Sequence, residues 1–212
     1  MRIALIGARG QIGQHIAQQL LQAGHQVTAL LRPGAVLPAE LAGAQAREVD
    51  ILDAQALAEA VRGHDAVASA YGPAMDAPQE TVAVMQALMA ACRASAVRRL
   101  VVVGGAGSLE VAPGVQLVDT PAFPQAYHAL ASAHRDALTA LRQAQDLDWT
   151  FFAPAALIQP GERLGGYQLG VGSLLCNAAG ESRIHYPDYA EAFVAELTGA
   201  GHPRQILTVA YS

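Results

Sequence analysis

The chain has 212 residues, of which 52% are hydrophobic and 15% are charged, and its formal net charge is −5 at pH 7. This length and composition suffice for one α/β domain with a buried core. The 13 basic residues are all arginines, and among them only Arg98 and Arg99 are adjacent. We therefore expect neither a nucleic acid nor an anionic membrane as a partner, because both require clustered positive charge.

A metal site and a disulfide framework are also disfavoured. The two cysteines, Cys92 and Cys176, lie far apart and have no Cys-x-x-Cys spacing, which argues against zinc and against a disulfide scaffold. The histidines show no His-x-x-x-His spacing, so we expect no metal. The N-terminal apolar run is too short for a signal-peptide core, and the expected location is cytoplasmic.

Short apolar runs recur along the chain, and each is bounded by Gly, Asp or Pro. Such runs are typical of buried parallel strands, and the segments between them show helical periodicity. The predicted strands are residues 3–6, 27–31, 66–70, 100–103 and 149–152, and the predicted helices are residues 11–23, 54–62 and 80–94. This alternation predicts an α/β fold with a doubly wound, mostly parallel sheet and helices on both faces.

The second half of the chain departs from this rhythm. Residues 104–125 are rich in Gly and Pro, and residues 161–182 are glycine-rich and irregular. The predicted elements here are a helix at residues 126–144, a helix at 187–197 and a strand at 205–210. We interpret residues 1–212 as a single domain, in which roughly residues 155–212 form a small C-terminal cap over the carboxyl edge of the sheet.

Three glycines, Gly7, Gly10 and Gly13, follow the first predicted strand. Gly7 permits a tight turn, Gly10 allows a ligand to approach the backbone, and Gly13 lets the helix pack closely on the strand. A loop of this kind before a helix N-terminus holds the pyrophosphate of a dinucleotide. The residues predicted to bind the cofactor here are Gly7, Ala8, Arg9, Gly10, Gln11, Ile12 and Gly13.

The end of the second strand indicates which dinucleotide is bound. In NAD-binding proteins an acidic residue about 20 residues after the loop accepts hydrogen bonds from the adenosine ribose, but this chain has Arg32 there. Arg32, together with Arg9 in the loop, can pair with a 2′-phosphate, which favours NADP(H) over NAD(H). The alternative is that both are solvated surface arginines.

Further cofactor contacts are expected at the carboxyl ends of the other strands, where ligands bind in open α/β sheets. Asp50 is a candidate for hydrogen bonding near the adenine, whereas Asp53 is better explained as a helix cap. Asp50 is expected at the end of a third strand, and small residues after the fourth and fifth strands, at residues 66–70 and 100–103, leave room for ribose and nicotinamide. These expected contacts are Asp50, Ile51, Leu52, Ala70, Tyr71, Gly72, Gly104 and Gly105.

Several segments match motifs of one known family: residues 6–13, 27–32, 65–67, 103–109, 148–150, 154–157, 160–163 and 186–190. On these segments the chain resembles an atypical short-chain dehydrogenase/reductase, in the group of NAD(P)H-flavin reductases related to biliverdin-IXβ reductase. The resemblance implies a Rossmann fold, bound NADP(H), hydride transfer to a flavin-like acceptor, and Pro154 near the cofactor. One departure is Arg9, where relatives usually carry Thr or another small polar residue.

The superfamily's usual pair for carbonyl reduction, Tyr-x-x-x-Lys, is absent. Tyr127 is followed at that spacing by Ala131, and the chain has no lysine. Simple ketone reduction is therefore disfavoured, because no lysine can lower the pKa of a catalytic tyrosine. Reduction of a flavin such as FMN or FAD, or of a linear tetrapyrrole, mainly needs a planar acceptor stacked on the nicotinamide, with a proton from solvent.

Tyr127 and His134 are the candidate catalytic residues if a side chain assists the reaction. They are seven residues apart in a predicted helix and so share one face. The imidazole of His134 is the better candidate, since it can transfer a proton near neutral pH. The alternative is an ordinary buried face, because Leu138 and Leu141 continue the same stripe.

The sequence thus predicts an NADPH-dependent oxidoreductase that acts on a small planar acceptor as a monomer or homodimer. The alternative is a non-catalytic NAD(P)-binding redox sensor of the nitrogen-metabolite-repressor-like type, for which the Tyr-Lys pair is not needed. A sugar epimerase or dehydratase is less well supported, because it needs that pair and a larger substrate domain.

Overall fold

The computed structural model describes residues 1–199 and 201–212. The strands are β1 (Arg2–Ile6), β2 (Gln26–Leu31), β3 (Gln45–Glu48), β4 (Ala66–Ser69), β5 (Arg99–Val103), β6 (Glu110–Ala112), β7 (Val115–Gln116), β8 (Asp148–Pro154), β9 (Leu157–Gln159), β10 (Tyr167–Val171), β11 (Arg183–His185) and β12 (Gln205–Tyr211). The helices are α1 (Gln11–Gln22), α2 (Ala54–Val61), α3 (Glu80–Ser95), α4 (His128–Leu141) and α5 (Tyr186–Thr198). In this described part, no helix is long and apolar enough to cross a membrane.

Eight strands form one sheet in the order β10-β12-β8-β5-β4-β1-β2-β3. Neighbouring strands are parallel except at β10, which runs antiparallel to β12. At the centre, Leu5 of β1 pairs with Ala29 of β2 on one side and with Ala68 of β4 on the other. The predicted doubly wound, mostly parallel sheet is therefore confirmed.

Alternate residues of each central strand face opposite sides of the sheet. In β1, Ile3 and Leu5 belong to the apolar core that is shared with α1 and α5, whereas Ala4 and Ile6 belong to the core beneath α2, α3 and α4. All four are at most 2% exposed. The continuous apolar run in this strand is thus explained by helices that cover both faces.

The loops that follow β1 and β4 leave the sheet in opposite directions. α1 follows β1 and packs on one face, while α3 follows β4 and packs on the other. Because β1 and β4 are neighbours, a crevice opens between their carboxyl ends, which is the position where doubly wound sheets bind ligands. The fold therefore brings residues 7–13 and 70–72 to the same crevice.

The predicted cap over residues 155–212 is wrong for most of that segment. β12 joins the main sheet beside β8, β10 extends the sheet further, and α5 packs against α1. Tyr189 and Phe193 of α5 are completely buried, because α5 covers the part of the sheet face that α1 leaves open. The small parallel pair of β9 and β11 lies beyond the carboxyl end of β8.

Two edge strands differ from the sequence prediction because they bury few side chains. β10 lies in a segment for which the sequence predicts irregular structure, and its residues Gln168, Leu169 and Val171 are exposed. All four residues of β3 are exposed, and β3 ends at Glu48, two residues before Asp50. A pattern search for buried apolar runs does not find such strands.

Candidate functional site

A cleft of about 290 Å³ lies at the carboxyl ends of β1, β2 and β4. Four chain segments form it: the loop from β1 into α1, the end of β2 with the turn that follows, the loop after β3, and the residues that follow β4. The lining residues are Ile6, Gly7, Ala8, Arg9, Gly10, Leu30, Leu31, Arg32, Ala35, Ile51, Ala70, Tyr71 and Gly72. Most of the predicted cofactor contacts before residue 73 are therefore gathered in one place.

The three glycines of the loop are required for different reasons. Gly7 has a φ of +81°, and a Cβ there would collide with the carbonyl of Ala70. A Cβ on Gly13 would collide with the carbonyl of Gly7, so both residues are required by the packing of the chain itself. Gly10 has a φ of −74°, and a Cβ there would lie 3.4 Å from the oxygen of Gly7. Packing of the chain itself therefore does not require glycine at position 10, and close approach of a ligand is a candidate reason for it.

The N-terminus of α1 is free to bind an anion. Its N-cap is Gly10, no side chain caps it, and its first turn contains no acidic residue. The backbone N–H groups of Gln11, Ile12 and Gly13 therefore have no helical acceptor and carry the positive end of the helix dipole. Phosphate groups bind at such helix N-termini.

The turn after β2 sets the position of Arg32. The N–H of Ala35 donates to the carbonyl of Arg32 at 3.0 Å, and Gly34 has a φ of +76°, so residues 32–35 form a type II turn with Pro33 and Gly34 at its centre. The N–H of Gly34 also donates to the Glu48 carboxylate at 3.2 Å. This turn holds Arg32 at the carboxyl end of β2, where it lines the cleft.

Arg9 and Arg32 give the cleft an excess of positive charge. Both are exposed and both line it. Among the described residues, neither forms an ion pair with a carboxylate. Guanidinium groups of this kind pair well with phosphate oxygens.

Tyr71 forms part of the cleft wall and is held by a neighbouring acid. Its hydroxyl donates to Glu80 Oε2 at 2.8 Å. Burial, the hydrogen bond to Glu80 and the charge of Glu80 raise the pKa of Tyr71 to about 12, although nearby Arg32 acts in the opposite direction. The phenol therefore stays protonated and is a poor proton donor at neutral pH.

Residues 50–53 divide between the cleft and the helix that follows. Ile51 lines the cleft, whereas Asp50 is occupied by a hydrogen bond from the N–H of Leu52 at 3.0 Å. Neither Asp50 nor Leu52 is among the lining residues. Asp53 accepts from the N–H groups of Gln55 and Ala56, both at 3.0 Å, so its predicted role as a helix cap is confirmed.

Six further predicted contacts are not among the residues that line the cleft: Gln11, Ile12, Gly13, Gly104, Gly105 and Pro154. A Cβ on Gly104 would collide with the ring of Phe151, and a Cβ on Gly105 would lie 3.2 Å from His134. Pro154 is buried at the end of β8 and pairs with Val209. Packing against Phe151 explains glycine at position 104, and His134 leaves little room for a side chain at position 105.

The two candidate catalytic residues lie in different surroundings. Tyr127 lies in a 3-10 turn that precedes α4 and is 55% exposed, whereas Leu138 and Leu141 are buried. His134 packs against Gly105, and burial lowers its pKa to about 4. This low pKa disfavours His134 as a proton donor near neutral pH, because its ring is neutral there.

Some lining residues were missed by sequence reasoning. Ile6, Leu30 and Leu31 end their strands with apolar side chains, and Ala35 closes the turn after Arg32. Their signal is positional, since the last residue of a strand in an open α/β sheet faces the ligand crevice. Together the cleft offers uncapped N–H donors, two guanidinium groups and an apolar wall, which is a donor set that fits a phosphorylated dinucleotide.

Comparisons with known proteins identify the family of the chain. Residues 7–198 match a family model described as "NAD(P)H-binding". The crystal structure of a "putative exported protein" from Burkholderia pseudomallei is 51% identical, has a TM-score of 0.92 and covers 100% of both chains. A "putative epimerase" from Bacteroides thetaiotaomicron is 34% identical, with a TM-score of 0.91, and the match covers 99% of this chain and 96% of that one.

A third crystal structure is described as a "putative NADH-flavin reductase" from Streptococcus pneumoniae. It is 32% identical, has a TM-score of 0.89 and covers 100% of both chains. The family match spans the glycine loop, the turn with Arg32 and most of the sheet. On this evidence the chain belongs to the NAD(P)H-binding family of Rossmann-fold proteins.

Proposed function

We propose that this protein is an NADPH-dependent oxidoreductase that transfers a hydride to a flavin or a similar planar conjugated acceptor. The observation that carries the proposal is the charge of the cleft. The uncapped N-terminus of α1 and two arginines without ion-pair partners, Arg9 and Arg32, meet at the switch point of the sheet. These groups suit the pyrophosphate and the 2′-phosphate of NADPH.

The chain's own residues have a positioning role in this reaction. Gly10 would let the pyrophosphate lie on the backbone, Arg32 and Arg9 would bind the 2′-phosphate, and Ile51 and Tyr71 would form walls of the cofactor site. When bound, NADPH supplies a hydride, and one proton from solvent then completes the two-electron reduction of a flavin to its dihydro form. Holding donor and acceptor together supplies most of the rate enhancement in such a reaction.

Solvent as the proton source agrees with the side chains near the site. With a pKa of about 12, Tyr71 holds its proton, and with a pKa of about 4, His134 has none to give at neutral pH. A ketone would need a proton donor at the developing alkoxide. A flavin has no such requirement, because its reduced nitrogen atoms exchange protons with water.

The similarity to the protein described as a "putative NADH-flavin reductase" supports a flavin as the hydride acceptor. Here Arg32 favours NADPH as the donor. An epimerase reaction is disfavoured despite the similarly described relative, because the chain has no lysine to complete a Tyr-Lys pair. We further propose a cytoplasmic location, since both cysteines are free, as in reducing compartments.

The test is the rate of NADPH oxidation with a panel of FMN, FAD, riboflavin, biliverdin and a quinone, beside the same panel with NADH. We expect turnover with at least one planar acceptor. An Arg32→Gln variant should lower the apparent affinity for NADPH about tenfold, as expected for the loss of one hydrogen bond to a charged group, and leave NADH unaffected. Equal losses with both nucleotides would contradict the assignment of Arg32.

A non-catalytic NAD(P) sensor is the second candidate. It is favoured by one observation: Tyr71 is the one ionisable residue other than arginine among the described residues that line the cleft, and burial and the hydrogen bond to Glu80 raise its pKa to about 12, so it is a poor proton donor at neutral pH. NADPH that binds tightly but is not oxidised by any acceptor in the panel would support the sensor and contradict the reductase.

A further inference from the structure

A second cleft, of about 490 Å³, lies at the opposite, amino-terminal edge of the sheet. The first residues of β8 and β12 form it together with the ends of β10 and α4. Its lining residues are Arg142, Gln145, Trp149, Val171, Gly172, Arg204, Gln205 and Ile206, none of which lines the first cleft. A Cβ added to Gly172 would meet no atom within 4 Å, so the space beside it is open.

The charge of this second cleft is positive. Arg142 is exposed and makes no ion pair within residues 1–199 and 201–212. Arg204 lies 3.7 Å from Asp148, but the same carboxylate lies 3.4 Å from Arg98. One carboxylate therefore faces two guanidinium groups, and Arg142 adds a third. This excess of positive charge suits an anion.

The buried side chain of Trp149 lacks a hydrogen-bond partner. Trp149 is 3% exposed, and its Nε1 donates to no acceptor in the described part of the chain. Buried indole N–H groups normally have an acceptor. Because Trp149 forms part of the cleft wall, an acceptor bound in the cleft is a candidate partner for this donor.

The backbone fixes Arg204 beside Trp149. Arg204 has a φ of +60°, a left-handed conformation that is uncommon for residues other than glycine. Its N–H donates to the carbonyl of Trp149 at 2.5 Å. Apolar surface is also present, since Val171 is 57% exposed and Ile206 lies beside it in the wall. The cleft thus combines cations, one unpaired donor and apolar side chains.

We propose that this second cleft binds a small organic anion in which a carboxylate is joined to an apolar group. The carboxylate lies between Arg142 and Arg204 and accepts from Trp149 Nε1, and the apolar group packs on Trp149 and Val171. The proposal is independent of the reaction at the first cleft, because the two sites share no residue and occupy opposite edges of the sheet.

A competing explanation of Arg142 is that it stabilises the C-terminal end of the α4 dipole. Arg62 offers a control, because it is the exposed C-cap residue of α2, as Arg142 is of α4, and it does not line the second cleft. If Arg142 acts only on the stability of its helix, removing the charge of Arg142 and removing the charge of Arg62 should have similar effects.

Trp149 is the only tryptophan, so the intrinsic tryptophan fluorescence reports on this cleft alone. Titration with benzoate should give a saturable change in fluorescence. Neutral benzyl alcohol, which has no carboxylate, and sulfate, which has no apolar group, should give no such change over the same range of concentration. Absence of a saturable change with benzoate would overturn the proposal, and equal affinity for sulfate would overturn the apolar part of it.

Two variants test the residues. Arg142→Met and Arg204→Asn should each weaken benzoate binding about tenfold, the effect of one lost charge-assisted hydrogen bond, while Arg62→Met should not change it. Asn tolerates the left-handed conformation at position 204. Unchanged NADPH affinity shows that each variant is folded. Unchanged benzoate affinity in folded Arg142→Met and Arg204→Asn proteins would overturn the proposed site.

Discussion

At the scale of single residues, the glycines of the first loop differ in whether packing of the chain requires them. Gly7 and Gly13 have no room for a Cβ, because the carbonyls of Ala70 and Gly7 occupy that space. Gly10 has room and an ordinary backbone conformation. Substitution by alanine should therefore affect the stability of the fold less at Gly10 than at Gly7 or Gly13.

We predict that Gly13→Ala lowers the free energy of unfolding by about 1–3 kcal/mol, as overpacked sites do. Gly10→Ala should cost less than about 1 kcal/mol, since only an N-cap preference is lost, but it should weaken NADPH binding, because the methyl group occupies the space of the pyrophosphate. Denaturant unfolding and a binding titration measure the two effects. Normal NADPH affinity in Gly10→Ala would contradict the close approach of the ligand at this residue.

Arg9 marks the point at which this chain departs from the family it resembles. If Arg9 is a second donor to the 2′-phosphate, Arg9→Thr lowers NADPH affinity about three- to tenfold, as expected of an exposed charged contact. NADH affinity should stay the same in this variant. A titration with both nucleotides measures the ratio, and an unchanged ratio would show that Arg9 is an ordinary solvated arginine.

The sequence predicts a residue's place in the site when that place follows from the order of strands, loops and helices. It does not predict the place or the pKa of a residue when these depend on individual hydrogen bonds or tertiary contacts. Gly7, Gly10 and Arg32 line the cleft because their places follow from the order of strand, loop and helix. Asp50 is bound instead to the N–H of Leu52. The low pKa of His134 depends on burial against Gly105, which is a tertiary contact.

At the scale of elements, a buried ionic network joins α5 to β5 and β8. Glu196 accepts from Arg99 at 2.7 Å, from Thr150 at 2.8 Å and from the N–H of His202 at 2.7 Å. Burial acts to raise the pKa of Glu196, but the hydrogen bonds from His202, Thr150 and Arg99 outweigh it and lower the pKa below 4.5. The charged form is therefore stabilised in the folded protein.

This lowered pKa makes the network sensitive to acid. The network contributes fully to the free energy of unfolding when the pH is above 4.5, the ordinary pKa of a glutamate. This contribution is lost as the pH falls through the lower pKa that Glu196 has in the folded protein. We predict that Glu196→Gln reduces the free energy of unfolding by about 3 kcal/mol near pH 7, because Arg99 is left without its partner. The difference from the parent protein should shrink as pH falls below 4.5.

Denaturant unfolding at several pH values measures this difference, with Glu59→Gln as a control. Glu59 is an exposed residue of α2, and its substitution should have little effect at any pH. A constant loss of stability in Glu196→Gln across the acid range would mean that the ionisation of Glu196 does not stabilise the fold.

Central elements could be predicted from the sequence, and edge elements could not. β1, β4 and β5 are covered on both faces, so each forms an apolar run that is visible in the sequence. β10 pairs along one side with β12 and leaves Leu169 and Val171 exposed. Its place in the sheet depends on partners distant in sequence, which explains why the tail was interpreted as a cap.

At the scale of the whole molecule, ligand binding should stabilise the fold. NADPH binds only the folded protein, so a concentration about 100 times the Kd adds about 2.7 kcal/mol to the free energy of unfolding. We predict a clear rise in the thermal midpoint with NADPH and a smaller rise with NADH at the same concentration. Equal rises would contradict recognition of the 2′-phosphate.

The most direct test of the account is a single-turnover reaction in the absence of oxygen, in which the protein bound to NADPH is mixed with FMN and both chromophores are followed. The account predicts that NADPH absorbance and oxidised-flavin absorbance decrease together, one NADPH for each FMN, and faster than without protein. NADPH that stays bound and unoxidised in the presence of FMN and the other planar acceptors would contradict the reductase and identify the protein as a dinucleotide sensor.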